Sequence, residues 1–369
     1  MTFATPARAL RRLKPAASPG LLASSAAVSA VFAATALAVP EVVVDYGVNT
    51  GAAALISTAQ VGGFTVANLL GGRRLVPSVK MARWAGITMF VANAASAIAP
   101  NYASLIALRG ITGIAMGLLT WIAWADSADD DNRRGEIAAL GPVTSVVAAP
   151  LIALASWWGG LDAIYLTLAG FSAVCLLLPL RVDPAITRGR RPIEARGVIP
   201  VLLGMGALAL GGSAVFVFSG VIADNLGMST IALSLALSLN AITGIPAARY
   251  AGRRRMPGGF IAITALCALA LATVDSQVVF FAAMALWGAA FWMAVPEAYT
   301  LLSERSKHPA DRIGDAQAVM ALGRVIGPTV GGILVAAGSF TVLGVAAAGI
   351  MLAGAILVEI VATSHRRRR

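Results

Sequence analysis

The chain has 369 residues, of which 58% are apolar and only 12% charged, with a formal net charge of +11 and a mean hydropathy of +0.82. A water-soluble domain carries about 25% charged residues, so there is too little polar surface here to cover a soluble enzyme. The same figures exclude a disordered chain, a collagen-like repeat and a disulfide-stapled secreted domain. The two cysteines, Cys175 and Cys267, lie inside apolar runs without metal-ligand spacing.

A hydrocarbon core of ~30 Å takes about 20 helical residues. In chain order, the runs Leu21–Pro40, Gly51–Leu70, Trp84–Ile98, Ala103–Trp124, Ile137–Trp157 and Ala163–Leu180 predict six spans. A charged gap, Arg181 to Gly197, follows. Val198–Val221, Ile231–Ala248, Gly259–Val274, Val278–Leu302, Ala318–Ala337 and Val342–Val361 predict six more. The expected fold is an all-α polytopic membrane protein with six-helix bundles at 1–180 and 198–369, joined by a linker at 181–197. The first run is too long for a signal-peptide core, so no cleaved targeting segment is expected.

The placement of charge supplies an orientation. Of 28 Lys and Arg residues, 26 lie before the first span, in gaps after even-numbered spans, or in the tail. The other two, Arg109 and Arg324, fall within spans. Gaps after odd-numbered spans hold Glu41, Asp45, Asp162, Asp224 and Asp275 instead. By the positive-inside rule, both termini and the linker are expected to be cytoplasmic, in a cell (inner) membrane. The basic character then reflects orientation and contact with anionic lipid, and no nucleic-acid partner is expected.

The halves echo each other at an offset of roughly 180 residues. Gly72-Arg73-Arg74-Leu75-Val76-Pro77 matches Gly252-Arg253-Arg254-Arg255-Met256-Pro257. Asp45 and Gly47 match Asp224 and Gly227, and Arg134-Gly135 is echoed by Arg312-Ile313-Gly314. Six helices per half make this a parallel repeat about an axis along the membrane normal, which places a site between the halves near the midplane.

These residues resemble the major facilitator superfamily. Leu105, Arg109 and Gly113 are similar to its fourth-helix arginine motif, with Thr112 where Gln is usual. Gly72-Arg73-Arg74 resembles the end of its loop between helices two and three, although no acid precedes the cluster. Gly323-Arg324-Val325-Ile326-Gly327-Pro328-Thr329-Val330-Gly331-Gly332 resembles the glycine-proline motif that antiporters of the family carry in helix five. Here helix five has only Gly141-Pro142.

The resemblance implies two bundles about a cavity lined by helices one, four, seven and ten. Candidate substrate or proton-coupling residues are then Arg109, Thr112, Met116, Ser213, Phe216, Trp287 and Phe291. A guanidinium at the depth of Arg109 is costly, so it should bind an anionic group, tune a carboxylate or form an ion pair. Glu41 is its expected partner. Arg73, Arg74, Arg253 and Arg254 are the inner-gate charges that the resemblance implies. Glu297 and Arg324 match in depth and are expected to pair there. Gly141, Pro142, Gly323, Gly327, Pro328, Gly331 and Gly332 are expected to pack helices closely.

The expected function is secondary active transport by alternating access: proton-coupled efflux of a small organic compound by a monomer. The partners would be that small molecule, protons and the lipid bilayer. An importer or uniporter of a small anion or metabolite is the alternative. A polytopic membrane enzyme or a non-transporting sensor belongs to a different class. No phosphate-binding G-x-x-x-x-G-K-[ST] loop is present, and His308 and His365 lack metal-ligand spacing. No cofactor, metal or catalytic residue is expected.

Overall fold

The computed structural model describes residues 15–127, 131–182, 197–250, 256–305, 309–337 and 339–366. Among them, α1 is Pro19–Tyr46, α2 is Leu55–Arg74 after a single turn at Thr50–Ala53, α3 is Val79–Ala97 and α4 is Tyr102–Asp126. The next stretch, Asp131–Leu177, has non-helical backbone at Gly159 and Gly160, which divides it into α5 (131–158) and α6 (161–177). Helix α7 is Ile199–Phe216, continued by Ser219–Asn225; α8 is Thr230–Tyr250 and α9 is Pro257–Thr273. The last three are α10 (Gln277–Glu304), α11 (Pro309–Ala337) and α12 (Phe340–Arg366). No strand occurs among the described residues.

Twelve alternating helices put both chain ends on one face, called here the terminal face. The other is the far face. Eight helical stretches are long and apolar enough to cross a membrane, and one of them, Ala139–Leu177, contains the two crossings of α5 and α6.

Local chemistry sets several ends differently from the apolar runs. Helix α3 starts at Val79 instead of Trp84, because the Ser78 hydroxyl accepts from Met81 N at 3.2 Å and caps it. Its first turns include Lys80 and Arg83, both exposed. Helix α1 continues past Pro40 through Glu41 to Tyr46. Asn101 opens α4 with a capping box: its side chain accepts from Ser104 N at 2.9 Å, and Ser104 Oγ accepts from Asn101 N at 3.3 Å. Gly47 (φ 62°) and Gly227 (φ 65°) adopt the left-handed conformation at matching far-face ends. The repeat is thus visible in the backbone.

The first six helices pack through α2 on α4, α1 on α5 and α3 on α6; the second six through α8 on α10, α7 on α11 and α9 on α12. One contact recurs in both. A Cβ on Gly113 would stand 1.9 Å from the Gln60 carbonyl oxygen, and a Cβ on Gly288 would stand 1.9 Å from that of Asn240. Only a hydrogen there lets α2 meet α4, and α8 meet α10, backbone to backbone. Between the two groups, α5 lies on α8 and α2 lies on α11.

Candidate functional site

Arg109 is 2% exposed and points into its own six-helix group. Its Nη2 donates to Ser96 Oγ at 2.6 Å, Asn93 Oδ1 at 3.0 Å, Thr112 Oγ1 at 3.0 Å and Ala92 O at 3.4 Å. The guanidinium also lies 4.4 Å above the Tyr165 ring. Asn93 Nδ2 in turn donates to Ser172 Oγ at 3.1 Å. The charge therefore ties α3, α4 and α6 together through neutral polar groups. Glu41 is not its partner: that carboxylate accepts from Ser156 Oγ at 2.5 Å, binding α1 to α5. No acid is needed here, because neutral dipoles from α3 and α4 and the Tyr165 ring offset the buried guanidinium.

The other predicted side chains are distributed along seams. Thr112 belongs to the Arg109 cage, and Met116 is fully buried. Ser213 Oγ donates to Leu210 O at 3.2 Å within α7 and approaches Gly323 O on α11 at 3.4 Å. Phe216 and Trp287 meet edge-to-face at 5.8 Å, joining α7 to α10, and Phe291 meets its neighbour Trp292 at 5.9 Å.

Glycines make one side of α11. Cβ atoms on Gly323, Gly327 and Gly331 would fall 2.8, 2.0 and 2.6 Å from atoms of α7. Gly332 meets Gly51 of the first group, where a Cβ would stand 2.9 Å away. Pro328 is buried beside them. At the corresponding place in α5 the glycine is less tightly packed: a Cβ on Gly141 would meet only Ser29 Oγ, at 4.0 Å, although Pro142 beside it is buried.

Glu297 and Arg324 do not pair. Glu297 is 3% exposed, and its Oε2 accepts from Met256 N at 2.8 Å, at the start of α9. Arg324 is half-buried and makes no hydrogen bond or ion pair with a described residue; the Tyr299 phenol is its electrostatic neighbour. Equal depth along two helices leaves rotation about each axis open, and here the rotation separates them. Arg253 and Arg254 lie outside the described residues, as do the side chains of Arg73 and Arg74.

Every hydrogen bond and glycine contact between the two groups, among the described residues, falls at mid-depth or toward the far face. Thr58 and Thr329 share a hydrogen bond of 2.9 Å, and Ser238 Oγ donates to Val146 O at 3.1 Å. A Cβ on Gly220 would stand 1.9 Å from Ala36 O, and one on Gly62 would reach Val325 at 4.0 Å. The described hydrogen bonds and glycine contacts of the seam thus join neutral, mostly small residues. A separate groove of about 430 Å³, lined by Leu151, Leu154, Ala155, Trp157, Trp158 and Thr167, opens on the outer side of α5 and α6, away from this seam.

The sequence matches the Major Facilitator Superfamily over residues 21–324. The chain belongs to the major facilitator superfamily. Its fold is similar to that of a bacterial homologue of the human lysosomal transporter Spinster, solved in an inward-facing and occupied conformation. That likeness covers 98% of this chain and 96% of the other with a TM-score of 0.69, at 13% sequence identity. No curated protein matches the sequence. This superfamily member is accordingly a secondary transporter of the multi-pass membrane type and not an enzyme.

Sequence reasoning missed several polar groups of this transporter near the terminal face. Arg312 lies in the first turn of α11, wholly buried, 2.8 Å from Asp315. Its i,i+3 spacing was the available signal, but a loop position concealed it. Asp126 and Arg133 pair at 3.4 Å across the α4–α5 connection. Glu136 accepts from Ala16 N at 2.9 Å and Ala17 N at 3.0 Å, holding the chain just before α1. Arg305 Nη2 donates to Val361 O and Ser364 Oγ at 3.0 and 3.1 Å, tying α10 to α12.

Proposed function

We propose that the protein exports a small organic compound by alternating access, with residues 1–180 and 198–369 rocking as two six-helix units about a site between them. The observation that carries this reading is the seam: its described contacts are neutral, involve small residues, and gather toward the far face. Such a contact parts at little electrostatic cost, whereas a buried ion-paired interface would not. The distribution of Lys and Arg makes the terminal face cytoplasmic. The state described, with the seam fastened toward the far face, is the one in which an exported compound would load from the cytoplasm. The Spinster homologue was solved in a state named inward-facing, which agrees with that assignment.

The proton gradient supplies the drive in this reading. Arg73, Arg74, Arg253 and Arg254 close the cytoplasmic ends when the far face opens. The unit of function is a monomer in the cell membrane. Purified protein in liposomes, given an imposed pH gradient and screened across compound classes, tests the proposal. Compound movement that follows the gradient supports it. Movement indifferent to the gradient removes the proton, and movement of no compound in either direction removes the transport cycle.

A further inference from the structure

Resting on that reading, we infer that Arg324 is the substrate's anion-binding group: the transported compound carries a carboxylate or phosphate that meets this guanidinium between the two halves.

Three sides of α11 are accounted for. Leu322, Ile326 and Ile333 are exposed and, at about 100° per residue, fall within about 40° of one another on the helix. They mark the lipid side. Gly323, Gly327 and Gly331 occupy the side that meets α7, and Val325, Thr329 and Gly332 the side that meets α2 and the turn before it. Arg324 lies about 180° from the centre of the lipid side. It shares the fourth side with Gln317, Ala321 and Pro328. That side faces the interior between the halves.

The fourth side is open toward the terminal face. Gln317, two turns nearer that face, is exposed, Ala321 and Arg324 are half-buried, and Pro328 beyond them is buried. Accessibility thus fades along one stripe from the terminal face to mid-depth, as in a cavity with its floor near Pro328. Arg324 stands nine residues into the span Asp315–Ala337, about 14 Å of rise. Its side chain leans back along the helix toward the opening.

A guanidinium keeps its charge at any working pH and offers five donors without an acceptor. Arg109 shows what this chain does with such a group when the role is packing: four acceptors from two helices and an aromatic ring enclose it. Arg324 has no comparable cage. Tyr299 is its polar neighbour, and the tyrosine hydroxyl donates to Met320 Sδ at 3.8 Å. Among the described residues no acceptor takes a hydrogen bond from this guanidinium. A planar carboxylate or a phosphate fits a guanidinium bidentately, which a neutral or cationic compound does not.

The test uses the full chain purified in detergent, with thermal stabilisation as the readout. The probes are benzoate, succinate and glycerol 1-phosphate, each beside its uncharged counterpart benzamide, succinamide or glycerol. At least one anion should stabilise the wild type while its counterpart does not. Arg324→Gln should weaken the apparent Kd for that anion at least about tenfold, with Arg324→Lys between, because it keeps charge but loses the fork. A ligand-free measurement accompanies it: Arg324→Cys should react with a water-soluble methanethiosulfonate reagent applied to the terminal face, against the background of the buried Cys175 and Cys267. Stabilisation by none of the anions, equal binding by Arg324→Gln, or an unreactive Cys in a folded protein would each overturn the inference. Anion binding without movement across liposomes would sink the transport cycle and leave the site standing. Gradient-driven movement of a neutral compound, unchanged in Arg324→Gln, would sink the site and leave the cycle standing.

Discussion

Replacing Arg109 by Leu should cost the protein stability before it costs anything else. The three shorter contacts of its guanidinium, at 2.6, 3.0 and 3.0 Å, share the two hydrogens of Nη2 and are charge-assisted and enclosed, so they count as two bonds of about 1.5–3 kcal/mol each. The stack on Tyr165 at 4.4 Å adds roughly 1–2 kcal/mol. Against this gross of about 4–8 kcal/mol stands the ~3 kcal/mol of placing an arginine within a membrane span. Leu also recovers some apolar packing, while Asn93, Ser96 and Thr112 find partial replacement partners in neighbouring carbonyls. A net loss of about 3 kcal/mol is the reasonable outcome, and at roughly 2–4 °C per kcal/mol it lowers Tm by about 6–12 °C. Arg109→Lys, which reaches fewer of these acceptors, should fall between.

Thermal unfolding in detergent, followed by intrinsic tryptophan fluorescence, measures the shift. Transport in liposomes at a temperature well below both transitions is the companion measurement. Destabilised Arg109→Leu that still transports when folded supports the cage. A variant that melts with the wild type yet transports nothing would refute this reasoning and return Arg109 to the substrate.

Thr58→Cys with Thr329→Cys should form a disulfide under mild oxidation, because the native hydroxyls are 2.9 Å apart and disulfide Cβ atoms lie about 3.5–4.5 Å apart; the oxidised protein should stop transporting and recover with reductant, and full transport while cross-linked would refute the far-face seam as a moving contact. Gly113→Val and Gly288→Val should each abolish folded protein in detergent, since a Cβ would stand 1.9 Å from a backbone oxygen in both, and a monodisperse, normally melting variant would contradict the close helix approach. Reporter fusions after Gly47 and after Arg191 should report opposite sides of the membrane, the second cytoplasmic, and two reporters on one side would overturn the orientation.

The number of helices was legible because burial in lipid leaves a one-dimensional signal: an apolar run of sufficient length, ended by charge, Gly or Pro. The ends were less legible because capping acts on single residues, as Ser78 shows at the start of α3. Side-chain partners were legible hardly at all. Nothing in the string says that Asn93 and Ser96 turn toward α4, and neutral polar residues do not announce themselves as counter-dipoles. Glu41 drew attention as the nearest acid, yet the rotation of α1 hands it to Ser156. Depth along the chain matched Glu297 to Arg324, but rotation about the axes decides contact, and it sends one toward Met256 and the other toward the interior.

The repeat sharpens the difference between the two intramembrane arginines. Gln60 against Gly113 in the first half recurs as Asn240 against Gly288 in the second, so contacts that build the fold are shared between the halves. Aligned on those glycines, the position of Arg109 corresponds to Met284; aligned on the two Gly-Pro pairs, that of Arg324 corresponds to Ala138. Neither guanidinium has a counterpart in the other half. Each is therefore an addition to one half, and what surrounds it indicates its purpose. Around Arg109 the chain placed acceptors for Nη2 and a ring beneath the guanidinium, which fixes α3, α4 and α6 relative to one another. Around Arg324 it cleared one side of α11, leaving glycines to α7, lipid-facing leucine and isoleucines to the bilayer, and an accessible stripe to the interior. A compound with one charged end cannot satisfy two equivalent halves at once, so a site between nearly symmetric bundles has to be marked on one of them. Arg324 is the residue by which the second half is marked.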